Sequence, residues 1–372
     1  MKILKTLLAL PLLFASCAGE AKIENGDIET LFHKERTLTL TTQRAISEAL
    51  PTCEIADIVG NYAILQIHDA SADFNFYIVD IESGEVVNKL FSIGKGRNEM
   101  MYPWYMGMLN GRFFIYDQVN KLLFSVSVDD LTTRSVDLRP ERIKAINDNG
   151  IFFMQNYTAI TGDRFVSFVN IEDENDPKLM IAPLEDNQFQ FGETFFKVGE
   201  GIDCDSRSNS FRGGVHTIDN GKSMLFRASG GVYLTFFDSS DSATPPTMTK
   251  EYLAQVAEYD VQTLSAGEKT IIIQMHTPET IMGFTSVSAD NDDFYLLYSD
   301  ATYKEYTERR ENKEEYGTAK VLVFNKKGEP KEKLLIENFK YNAALIHSSV
   351  DNSLYSVDYD QDGNDCLVQY KL

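Results

Sequence analysis

The sequence predicts an all-β chain folded as a six-bladed β-propeller of four-stranded antiparallel blades, closed by an N-terminal strand. Two observations predict it: a turn pattern that recurs along the chain, and a strand left without a partner at each end. In the pattern an apolar run stops for about two residues at Asn, Asp or Gly, and a second apolar or aromatic run starts at once. That is the signature of a tight β-hairpin. It occurs at 57–62, 108–113, 146–151, 218–222, 289–294 and 350–354. Asn110-Gly111 and Asn220-Gly221 are the sharpest instances, because a type I′ turn needs positive φ at both central positions and these residues tolerate it.

A third strand follows each hairpin, and in five cases a fourth: 74–80 with 86–91, 122–128 with 133–138, 165–171 with 178–183, 232–237 with 248–253, and 321–324 with 333–336. The sixth unit ends on its third strand, 366–370, which leaves an open sheet edge. The segment 36–41, with the alternation Thr37-Leu38-Thr39-Leu40, is expected to supply the missing strand and close the ring. Composition agrees. With 43% apolar residues and only 10 prolines a large core is available, so a disordered chain is excluded, and 24 Phe with 18 Tyr favour strands.

Phe91-Ser92-Ile93-Gly94-Lys95-Gly96-Arg97-Asn98-Glu99, followed by Tyr102-Pro103 and Phe114-Ile115-Tyr116-Asp117, resembles a pair of motifs in the TolB-like six-bladed propeller lipoproteins of bacteria. These are a G-x-G-x-x-E loop and a strand ending in Asp. The family carries Pro-Gly where this chain has Arg97-Asn98. The resemblance implies a fold and a location in the cell envelope; it implies no activity.

The N-terminus agrees with that location. Lys2 and Lys5 precede an apolar run over 7–14, and Ala15-Ser16-Cys17 follows, as in an export signal too short to span a membrane. Small residues before Cys17 resemble a lipobox, which implies cleavage before Cys17 and acylation of it; several acyl chains anchor a protein stably. The expected organisation is a signal peptide over 1–16, a flexible lipidated tether over 17–35 and one propeller domain over 36–372. The protein is then expected in the envelope, facing the periplasm or at the outer membrane.

The formal charge of −21 repels a nucleic-acid backbone and favours basic partners or divalent cations. After Cys17 only Cys53, Cys204 and Cys366 remain, with no C-x-x-C, so zinc-ribbon and thioredoxin-type sites are excluded and one disulfide is left open.

In a propeller the links between first and second strands, and between third and fourth, share one face. The insertions 93–103, 185–210, 257–281 and 301–319 fall on the opposite face, which is therefore the expected ligand face. Its candidate residues are Arg97, Glu99, Tyr102, Trp104, Tyr105, Tyr303 and Tyr306. Glu305 with Arg309 and Arg310 with Glu314 are spaced for an exposed helix within 301–319.

Local chemistry is sparse. Asp358, Asp360 and Asp362 before Gly363 match the first half of a calcium loop, although Gln369 stands where the full loop needs Glu. Asp57, Lys144, His216 and His347 fall on strands expected to be innermost, where side chains can meet across a central channel. No H-E-x-x-H or G-x-S-x-G occurs. No catalytic residue or obligatory cofactor is therefore expected. The expected function is non-enzymatic binding or scaffolding of an envelope protein, a peptide or a glycan. A metal-dependent propeller hydrolase or lyase, and a calcium-stabilised adhesion-type propeller, are left open.

Overall fold

A computed structural model describes residues 20–22, 27–69, 71–96, 99–117, 119–120, 122–133, 141–145, 151–161, 164–171, 178–183, 190–191, 213–240, 246–266, 269–312, 316–340 and 343–372. The described strands form six sheets of four or five strands and one two-stranded sheet. The first sheet runs Cys53–Val59, Tyr62–Ile67, Phe74–Asp80, Val86–Ile93, with Glu99–Met100 added in parallel. The second runs Pro103–Leu109, Arg112–Asp117, Leu122–Ser127, Glu141–Ala145. The third runs Ile151–Thr161, Arg164–Ile171, Lys178–Pro183, Gln190–Phe191. The fourth runs Gly213–Ile218, Ser223–Ala228, Gly231–Asp238, Thr247–Val256, with Glu20–Lys22 beside its last strand. The fifth runs Ile281–Ala289, Asp293–Thr302, Tyr316–Asn325, Pro330–Lys340, with Glu35–Leu38 beside its last strand. The sixth runs Ile346–Ser348, Ser353–Tyr359, Asp365–Lys371 and ends on Leu40–Ala45. This is a β-propeller.

The second strand of a blade is covered on both faces, so it reads as an unbroken apolar run rather than an alternating one. Ala63, Ile64 and Leu65 are fully buried, as are Met224, Leu225 and Phe226. The cores lie between sheets. Ile64, Phe76 and Ile78 pack with Phe113 and Ile115 of the second sheet. Leu225 and Phe236 pack with Phe294 and Phe324, joining the fourth and fifth. Tyr295 and Val323 pack with Leu354 and Val368, joining the fifth and sixth. Ile55 and Leu65 pack with Ile346 and Leu367, so the last sheet meets the first. Asn110 and Gly111 form the expected two-residue turn, with φ of 49° and 70°. The turn expected at Asn220-Gly221 centres one residue earlier: Asp219 and Asn220 both have φ of 53°, and Gly221 N–H donates to the Ile218 carbonyl at 3.0 Å.

Four more expectations change. The closing strand is Leu40–Ala45, not 36–41: Leu40 pairs with Tyr370 and Ala45 with Cys366, while Glu35–Leu38 lies parallel to Pro330–Lys340 on the fifth sheet. The alternation Thr37-Leu38-Thr39-Leu40 spans two elements, because Leu38 is buried at the fifth sheet and Leu40 is half exposed.

The third sheet is displaced by one strand. Glu141–Ala145 is the outer strand of the second sheet, with Lys144 opposite Leu123, and the inner hairpin of the third sheet is Ile151–Thr161 with Arg164–Ile171. The turn expected at Asp148-Asn149-Gly150 lies outside the described residues.

The second half of the expected tether is docked. Asp27 caps a 3-10 turn, Ile28–Leu31, whose Ile28 is fully buried between the fourth and fifth sheets. Phe32 meets Phe324 edge-on at 5.1 Å, and Glu29 receives both Lys320 and Lys333.

The insertion over 257–281 is not a plain loop but a two-stranded hairpin, Tyr259–Ala266 with Lys269–His276. The expected helix is present as α1, Tyr303–Glu311. Thr302 and Glu305 form a reciprocal capping box at its start.

Candidate functional site

The insertion helix creates a cleft. The chain leaves the second strand of the fifth sheet at Thr302, turns through α1 and re-enters at Tyr316, so α1 overhangs the ends of the inner strands of the fifth and sixth sheets. Beneath it lies a cleft of about 420 Å³ on the loop-rich face. Rings and cations share its walls, Tyr298 and Phe339 buried behind the more accessible Tyr306 and Tyr359. Tyr298, Tyr306, Phe339 and Tyr359 supply the rings; Arg309, Arg310, Lys320 and Lys340 supply the charge. Glu54 and Asp300 are acidic members of the lining. In a chain of net charge −21 such a concentration of cations is a local inversion.

The cations are held differently. Lys320 is bonded to Glu29 at 2.5 Å and Asp300 at 2.8 Å; burial, the largest single effect, lowers its pKa, but the two carboxylates together outweigh it and raise it. Lys340 lies 3.6 Å above the ring centre of Tyr359, whose side chain is partly exposed. Arg310 is exposed and lines the cleft. The helix is buttressed from the hairpin insertion by a run of rings: Tyr259 to His276 at 4.4 Å, His276 to Tyr303 at 5.5 Å and Tyr303 to Tyr306 at 6.5 Å. Of the residues singled out from sequence, Tyr306 lines the cleft and Tyr303 supports it.

The Gly94 loop is a clasp. The Glu99 carboxylate accepts the Gly96 N–H at 2.7 Å, and a Cβ on Gly94 would stand 2.0 Å from Glu99 Oε2. The glycines leave room for a carboxylate folded over the backbone. Asp117, at the end of the motif's strand, is buried and accepts the N–H groups of Met101, Val119 and Asn120. Both motifs thus fasten the passage from the first sheet to the second. Arg97 lies outside the described residues, as do Cys17 and Cys204.

Tyr102, Trp104 and Tyr105 separate. Tyr102 is exposed and meets Trp104 edge-on at 5.3 Å; Trp104 faces His68 at 5.8 Å, and His68 Nε2 is 3.1 Å from Glu54 Oε1. Tyr105 instead stacks on Phe113 at 5.0 Å and donates its hydroxyl to Asp57.

The expected channel set does not converge. Asp57 is tied to Tyr105 of the neighbouring sheet and to the Ile58 N–H; burial nevertheless pushes its carboxyl up to about 6. His216 is driven down to about 3 by burial and, secondarily, by Arg227. His347 is buried in the seam between the fifth and sixth sheets, stacked on Tyr295 at 5.0 Å and 4° and bonded to Asn352. It does not face a channel. Lys144 sits on an outer strand, for the reason given above. Burial also pushes the Cys53 thiol up to about 12; Cys53 and Cys366 are free thiols.

The calcium motif is spent on its own turn. Asp360 accepts the N–H groups of Asp362 and Asn364, each at 2.9 Å, while Asp358 takes the Tyr316 hydroxyl at 2.8 Å. Among the described residues no three acidic, His or Cys side chains gather to hold a metal. None of their helices is long and apolar enough to cross a membrane.

No family model matches the chain, and no curated protein matches its sequence. Solved structures match in fold. A DUF4221-family member from Bacteroides vulgatus superposes with a TM-score of 0.51 at 10% identity, covering 90% of this chain and 97% of its own. A protein of unknown function from Bacteroides thetaiotaomicron gives 0.45 at 8% identity, over 91% of this chain and 73% of its own. A luciferin-regenerating enzyme gives 0.43 at 9%, over 89% and 95%. At these identities the likeness to the first, the Bacteroides vulgatus protein, is one of fold: this chain is a β-propeller built like it.

Proposed function

We propose that this protein is an exported, membrane-tethered six-bladed propeller that binds an acidic glycan without chemically altering it, in the cleft beneath α1. The observation that carries this is the cleft itself, where four ring-bearing side chains and four cations share one concave wall. The accessible rings of Tyr306 and Tyr359 suit the apolar faces of sugar rings, and arginines suit carboxylates, which they can meet with two parallel hydrogen bonds. A wall of this kind recognises a ligand that is both cyclic and anionic.

Six blades are supported by the six larger sheets and by the packing of the last on the first. Export and lipidation rest on Ala15-Ser16-Cys17 and on the likeness of the Gly94 loop to the TolB-like lipoproteins. In a bacterial host, labelled palmitate should enter the wild-type protein and not the Cys17→Ser variant; equal labelling, or none in either, overturns the tether.

The cleft is tested by calorimetry on the purified protein with a glucuronate-bearing disaccharide and its neutral glucose counterpart. The acidic sugar should bind and the neutral one should not, with affinity falling as salt rises. Arg310→Ala and Tyr359→Ala should each weaken binding by about tenfold, which corresponds to roughly 1.4 kcal/mol. Equal binding of both sugars, or indifference to both substitutions, overturns the assignment.

A further inference from the structure

We infer that the ligand is an oligosaccharide bound in one direction, its anionic end beneath α1 and its uncharged rings running past Glu54 onto a second platform of Trp104 and Tyr102. This inference rests on the acidic-glycan reading of the cleft and extends it. The joining residue is Glu54. It lines the cleft and also holds His68, whose ring faces Trp104, and Trp104 in turn meets the exposed Tyr102. Ring surface therefore continues around the loop-rich face from the fifth sheet, across the sixth and first, to the start of the second.

Charge sets the direction. Arg309 and Arg310 are both on α1, at one end of this arc, and Glu54 stands between them and Trp104. A carboxylate is attracted at the α1 end and repelled at Glu54, whereas a neutral ring with hydroxyls can pass and donate hydrogen bonds to that acid. Trp104 and Tyr102 are not among the cleft's lining residues, so the second platform adds contact area only for a ligand that extends beyond the cleft.

A peptide fits the arc less well. Peptides often bind by adding a strand to a free sheet edge, but the outer edge of the fifth sheet is already paired with Glu35–Leu38. The arc itself follows the ends of inner strands, which present side chains.

The test is a series of β-linked glucose oligosaccharides of two to five rings, each capped by one glucuronate, titrated against the purified protein. Affinity should rise at least tenfold from two rings to five. Tyr102→Ala, at an exposed position, and Trp104→Ala should remove that gain while leaving the two-ring ligand within about twofold of wild type. The same chain with its glucuronate at the opposite end should lose the gain as well. A flat dependence on length, indifference to the end carrying the charge, or equal loss for two-ring and five-ring ligands overturns the inference while the cleft assignment stands. An acidic peptide binding ten times more tightly than the five-ring sugar overturns it in favour of a protein partner. Failure of every sugar to bind overturns the cleft assignment, and this inference with it.

Discussion

The carboxylate of Glu99 folds back on its own loop and accepts the N–H of Gly96 at 2.7 Å, so that the two residues lock the passage between the first and second sheets. A Cβ at Gly96 would stand 2.8 Å from Glu99 Cδ. Gly96→Ala should therefore destabilise the wild type by about 1–2 kcal/mol and cost much less in a Glu99→Ala background. A denaturant double-mutant cycle reads the coupling directly; additive effects would show that the glycine serves something other than room for this carboxylate.

Asp117 closes the same clasp from the other side. It is 1% exposed and receives three backbone N–H groups and the Asn120 amide. Asp117→Ala leaves those donors without an acceptor, and each buried loss costs roughly 1–3 kcal/mol. The variant should lose several kcal/mol in urea unfolding, more than Asp117→Asn, which keeps one carbonyl acceptor.

The exchange of sheets at Thr39 has a simple mutational signature. Leu38 is 4% exposed in the core between the fifth and sixth sheets, whereas Leu40 is 50% exposed on the closing strand. Leu38→Ala should cost about 2–5 kcal/mol, and Leu40→Ala should stay within about 0.5 kcal/mol. Similar losses at both would mean that the alternation belongs to one strand after all.

Asp57 and His216 give stability opposite dependences on pH. Burial raises Asp57 from 3.8 to about 6, so its contribution is full below pH 3.8 and lost as pH rises through about 6. Burial lowers His216 from 6.5 to about 3, so its contribution is full above pH 6.5 and lost as pH falls towards 3. Asp57→Asn should thus gain on the order of 1–3 kcal/mol over wild type at pH 7.5 and little at pH 4. His216→Gln should flatten the acid side of the profile. Melting temperatures across pH 4 to 8 decide both; a gain for Asp57→Asn that is the same at every pH would show that the carboxylate is not the cause.

Much of the architecture was legible because it is local. The two-residue turn at Asn110-Gly111 demands its residue types whatever surrounds them, and a strand buried on both faces must be apolar throughout. The helix over Tyr303–Glu311 was readable from charge spacing for the same reason. The cleft was not: Arg309 and Arg310 are adjacent in sequence, but Lys340, Tyr359 and Glu54 come from three other sheet positions, and no spacing rule joins them.

Chain order and residue chemistry alone thus decide that this protein is a repeated β-sheet array. Tertiary packing alone decides where a strand changes sheets, as at Thr39. It also decides which of several histidines ends up in a seam, as His347 does. The physical reason is that backbone turns and two-sided burial are short-range demands, visible within ten residues. The choice between equally suitable neighbours is settled by which apolar side chain, Leu38 rather than Leu40, finds an unfilled core beside it.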